Sequence, residues 1–230
     1  MPSLETLNAS IVAVGSINPP IISLDWLQYN GLIGSGDAEA ARARPDYTVS
    51  RQVTRFQTGV ASVQALENQL SITSTGPVTP ALCDLATGIF DLLPHTPVSA
   101  IGLNFVAHYK TEDRTTYHRV GDVLAPKDIW NNIFPGKFNG LSDLTIVVQD
   151  GTRDNLAARP DLQRISVQPS MQVAQGICLI MNDHHGLDVD GKPLTTAAGA
   201  SALTRKYWSA THERSLEVFE RVLSLALGRL

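Results

Sequence analysis

The apolar residues of this chain change their period twice. Asn8 to Ile17, "NASIVAVGSI", carries β-branched residues without helical spacing and is closed by Pro19 and Pro20, which predicts a strand. Tyr47 to Gly76 continues with alternation at Val49, Arg51, Val53 and Arg55 and a further short run, "QLSITST". That pattern predicts an antiparallel pair or trio. The spacing then shifts to three and four at Leu82, Leu85, Ala86, Ile89 and Leu93. A helix is expected there, with Thr79 as N-cap, Pro80 at the first helical position and Pro94 as its stop.

The same order recurs. Val98 to Tyr109, "VSAIGLNFVAHY", predicts a strand, extended through "RTTYHRVGDVL", and "APKDIWNNIF" predicts a short helix. Three strand patterns follow in "LTIVVQD", "LQRISVQP" and "QGICLIMND". The last helix, "LTRKYWSATHERSLEVFERVLSLALGRL", sets Trp208, His212, Leu216, Phe219, Leu223 and Ala226 on one stripe and its charges on another. Its apolar end is broad, so Leu223, Leu225 and Leu227 are candidate interface residues. Strands then helix, twice over, gives an α+β fold of antiparallel sheet segments with two principal helices, the C-terminal one long. The expectation is a single domain over 1–230, with two β-then-α subdomains dividing near 95–98. Residues 30–46, rich in Gly, Ala and charge, are expected to form a mobile loop.

Composition narrows the function classes. A net charge of −4 offers no basic footprint for nucleic acid, and no nucleic-acid partner is expected. No stretch approaches the roughly 20 apolar residues of a membrane helix, and the amino terminus lacks a basic leader. Cys83 and Cys178 lie inside apolar stretches and read as buried thiols of a reducing compartment, although a disulfide between them is compatible with the sequence. Cytoplasmic is the expected location. The opening "NASIVAV", the segment "IGLNFVAHY", the strand "CLIMND" and the closing "HERSLEVFERVL" together resemble a sporadically distributed family of uncharacterised bacterial proteins. In that family the middle strand reads like "LRYIN", where this chain has Asn104 in place of an arginine. The resemblance implies a bacterial, cytoplasmic protein and no known activity.

The candidate chemistry is concentrated in "NDHHGLDVDGKP". Asp183, His184 and His185 at the end of an apolar strand resemble the signature of the DHH phosphoesterases. That resemblance implies manganese-type metal binding for phosphodiester hydrolysis, with Asp150 as a middle aspartate and Asp188 and Asp190 as further oxygen donors. The opening strand, however, ends "VAVGSINPP" without the carboxylates that family uses, and "DVDGKP" is rich in turn formers. In "HYKTEDRTTYHR", His108 and His118 would face each other if the segment were a hairpin. "GASAL" lacks the second glycine of a nucleophile elbow, and "GSG" lacks the Lys-Ser/Thr of a phosphate loop, so no cofactor is expected. The leading expectation is a non-enzymatic protein acting through protein–protein contacts, as a homo-oligomer or a subunit of a larger assembly. The alternatives are a metal-dependent phosphodiester hydrolase, and a small-ligand sensor with 30–46 as its lid.

Overall fold

The computed structural model of the chain describes residues 2–149 and 161–228. Nine strands form one antiparallel sheet: β1 (Ser3–Gly15), β2 (Thr48–Val49), β3 (Val53–Gln57), β4 (Ala61–Leu66), β5 (Gln69–Ser74), β6 (Val98–Lys110), β7 (Leu144–Val148), β8 (Leu162–Pro169) and β9 (Gly176–His185). Six α-helices accompany them: α1 (Leu24–Tyr29), α2 (Ser35–Arg42), α3 (Pro80–Leu92), α4 (Arg114–Leu124), α5 (Asp128–Ile133) and α6 (Ala197–Ala226). The class is α+β, and α1, α2 and α4 are helices beyond the two principal ones and the short one expected at "APKDIWNNIF". Among the described residues no helix is long and apolar enough to cross a membrane.

The strand order is β2-β3-β4-β5-β1-β6-β9-β8-β7. It runs outward from a central pair, β1 and β6, each 13 residues long and paired antiparallel from Ser3 opposite Lys110 to Gly15 opposite Val98. Each half therefore has a long strand, a helical insertion, a meander and a closing helix. At the end of β1 a Cβ on Gly15 would lie 2.0 Å from the Pro97 carbonyl oxygen, so the two chains approach this closely only through glycine. The division expected near 95–98 falls at the start of β6, inside the continuous sheet.

Strand side chains alternate between faces, and the main apolar core lies on one of them. Ala9, Ile11 and Ala13 of β1, Leu103, Phe105 and Ala107 of β6, and Ile177, Leu179 and Met181 of β9 share one core cluster with residues of α1–α4 and α6. Helices α3 and α6 pack against each other over this inner face. Phe105 anchors α6: its ring lies 5.2 Å from Trp208 and stacks on His212 at 5.3 Å. On the outer face Asn104 donates to Ser10 Oγ at 3.2 Å, Asn182 donates to Asn104, and Arg164 reaches Asn182 at 3.4 Å.

Several expectations are corrected. Residues 30–46 are not a loop throughout, because Ser35–Arg42 form helix α2, which packs through buried Ala38 and Ala41. The strand after Thr48 is a four-stranded meander, β2–β5, rather than a pair or trio. "RTTYHRVGDVL" is helix α4, started by Asp113, whose carboxylate accepts from Thr116 N at 2.6 Å. Leu223 and Leu227 belong to the core while Leu225 is 57% exposed, since positions four apart share a helix face and the residue between them points away. Leu223→Asp should therefore abolish the cooperative urea transition followed by tryptophan fluorescence, and Leu225→Asp should shift stability by less than about 0.5 kcal/mol. Equal effects of the two substitutions would contradict this placement.

Candidate functional site

The inward alternation of β9 does not stop where its apolar run ends. After Ile177, Leu179 and Met181, the next inward positions are Asp183 and His185, which are buried, while His184 turns to the outer face opposite Gly102. The Asp-His-His triplet is thereby split between the two sides of the sheet. Asp150 lies outside the described residues. Asp188 is occupied in the following turn, its Oδ1 accepting from Asp190 N and Lys192 N at 2.9 Å each, with Gly191 at φ +77°. Among the described residues no group of three or more His, Cys, Asp or Glu side chains is placed to hold a metal ion.

Asp183 and His185 instead form an ionic tie among three elements. Asp183 accepts from Thr211 Oγ1 of α6 at 2.7 Å and from Gln163 Nε2 of β8 at 3.1 Å. Its Oδ2 lies 3.4 Å from His185 Nε2, an ion-pair contact longer than a well-formed hydrogen bond. The other ring nitrogen, Nδ1, is 3.7 Å from Asp161 Oδ2, and Asp161 Oδ1 accepts from Gly186 N at 2.7 Å and Leu187 N at 3.1 Å. Tyr207 stacks on the imidazole with centroids 4.9 Å apart, and Lys206 lies over the Tyr207 ring. Asp161, Gln163, Asp183, His185, Tyr207 and Thr211, with Arg214, line a cleft of about 290 Å³.

Burial alone would lower the His185 pKa, but the carboxylates of Asp183 and Asp161 reverse this and hold it above the usual value. Burial would likewise raise Asp183, and His185, Thr211 and Gln163 together pull it below the usual value. A carboxylate faces each imidazole nitrogen, which favours protonation of His185. Both nitrogens are directed at carboxylates, and the tie fastens β8, β9 and α6.

A second constellation was not legible in the sequence. Register sets His108 of β6 opposite Cys178 of β9 on the outer face, with Sγ 3.9 Å from Nε2. His108 Nδ1 lies 2.7 Å from Ser170 Oγ, and Gln168 reaches the sulfur at 3.8 Å. A cysteine, a histidine and a histidine-orienting hydroxyl suggest nucleophilic catalysis. The hydrogen bonds argue otherwise. Ser170 Oγ already accepts from Gln172 N and Val173 N, so its proton is the one directed at Nδ1. The ring proton then sits on Nε2, facing the sulfur, where a base would need a lone pair. Burial also raises the Cys178 pKa and lowers that of His108, which keeps both neutral. Cys83, in α3, is a free buried thiol like Cys178 and lies on the inner side of the sheet. His118 sits on α4, where Arg114 Nε donates to it at 3.2 Å, so the segment is not the hairpin that a His108–His118 pairing would require.

Two surface features remain. Beside α2 a polar cleft of about 300 Å³ is lined by Asp37, Arg44 and Gln57, with Arg44 already bonded to Asp46 and Gln57. Beside α5 a cleft of about 430 Å³ is walled by Trp130, Phe134 and Phe138. No protein-family model matches the chain, and no curated protein matches it.

The ionic tie has a defined pH window. A raised His185 pKa contributes stability that is complete below 6.5 and is lost as pH rises through the folded value. A lowered Asp183 pKa contributes stability present above 3.8 and lost as pH falls through its folded value. Both contributions coexist between those limits. Urea unfolding should show stability declining as pH rises above about 6.5, with His185→Gln costing about 3 kcal/mol at pH 6 and flattening the decline. An unchanged slope in the variant would show that His185 does not carry it.

Proposed function

We propose that this protein is non-enzymatic and works by binding another polypeptide at the β7 end of its sheet, as a homo-oligomer or as a subunit of a larger assembly. The observation that carries this reading is the concentration of uncovered apolar side chains in one segment. Among the described residues, nine of the nineteen exposed large apolar side chains fall between Val123 and Val148. Scattered exposed leucines are ordinary, whereas a run of this kind marks a contact surface.

The elements in that segment are short of internal support. Helix α5 is six residues long, "DIWNNI", and has no buried residue, although it carries Ile129, Trp130 and Ile133. So short a helix is marginal in water unless an apolar face is packed. Strand β7 has no buried residue either. In the aromatic cleft beside α5, Asn139 Oδ1 is sequestered without a hydrogen-bond donor among the described residues. A partner's backbone N–H would satisfy it while apolar side chains fill the space between the three rings.

The hydrolase reading has less behind it, because His184 is turned away from Asp183 and His185 and the imidazole nitrogens face carboxylates. A photo-crosslinking residue tests the contact reading directly. Placed at Phe138, 84% exposed, it should give a discrete adduct in cells that Trp130→Glu abolishes. The same residue at Tyr29, 89% exposed on the other half of the molecule, should give none. No adduct at Phe138, or equal adducts at both positions, would contradict the reading.

A further inference from the structure

We propose that the partner at this edge is a second copy of the chain, with β7 of each copy pairing antiparallel across a twofold axis at Ile146. This rests on the reading of the β7 end as a contact surface and names what covers it. Two nine-stranded sheets would then continue as one.

The two edges of the sheet are unlike. At one end β2 is only two residues long, which leaves little backbone to pair. At the other, β7 has five consecutive residues, "LTIVV", with no proline, no charge and no register shift against β8. These are the devices that normally protect an edge, and β7 has none of them. Its backbone is paired on one side only among the described residues.

The side chains favour a second copy over a foreign peptide. A twofold antiparallel pairing sets Leu144 opposite Val148, Thr145 opposite Val147 and Ile146 opposite itself. In this register a charge at position 146 would meet its own equivalent, and charges of one sign at 144 and 148 or at 145 and 147 would be opposed across the seam, which is destabilising. An uncharged strand is self-complementary in this arrangement, whereas recognition of a foreign strand places no such demand. Ile146 and Val148 are exposed on the inner face and Val147 on the outer face, so the junction would cover apolar surface on both sides. The fold already contains this kind of joint: β1 and β6, equal in length and antiparallel, unite the two halves of one chain.

Sedimentation equilibrium of the full chain between about 1 and 100 µM tests the proposal. The wild-type protein should weigh twice the 24.8 kDa of one chain. Val147→Lys, at a position 53% exposed, should weaken association at least about tenfold while leaving the urea midpoint unchanged. Met171→Lys, 96% exposed elsewhere, should leave the dimer intact. A single-chain mass throughout, or a dimer indifferent to Val147→Lys, would overturn the proposal. If the chain is monomeric but Phe138 still crosslinks to another protein, the second copy is wrong and the contact reading stands. If neither association nor adduct is found, both fall.

Discussion

The antiparallel pairing of β1 with β6 is the constraint on which the rest of the structure depends. It joins two β-then-α units into one sheet, places β5 and β9 on either side of the centre, and brings α3 and α6 together over the same face. Every face assignment follows from it. Once β9 is registered against β6, Met181, Asp183 and His185 must point beneath α6, and Cys178, Asn182 and His184 must point away. A one-residue slip would expose Leu179 and bury His184. The tie of Asp183 to His185, Thr211 and Gln163 opposes such a slip at the end of the strand where the apolar run gives out.

Much of the fold was legible because local signals agreed with tertiary need. Thr79, Pro80, Pro94 and a three-four apolar period marked α3, and β-branched runs marked β7, β8 and β9. The signal failed where burial is slight. Helix α4 buries only Val120, and its Thr115, Thr116 and Val123 read as strand residues once the Asp113 cap is overlooked. Helix α2 is held by two alanines, which leave no apolar period to detect. The candidate site was half legible for a related reason. Asp183, His184 and His185 are adjacent in sequence, but a strand sends neighbours to opposite faces, so adjacency was the wrong guide to convergence. The meeting of His108 with Cys178 is a fact of register between strands 70 residues apart, which no local pattern encodes.

The structure is unevenly finished. Helices α3 and α6 pack over the inner face, Asp183 ties β8, β9 and α6 together, and the outer face carries a hydrogen-bonded row of Ser10, Asn104, Asn182 and Arg164. Among the described residues, uncovered apolar side chains are concentrated in the segment from α5 to β7. Elements with so few buried contacts occupy the low-stability end of a fold, and their persistence is coupled to whatever they bind.

Amide hydrogen exchange at β7, followed as a function of protein concentration, tests that central claim most directly. Paired edge amides should be protected in concentrated solution and lose protection on dilution, while amides of β1 and β6 stay slow throughout. Exchange at β7 that is fast and independent of concentration, with no protein partner able to slow it, would contradict the account.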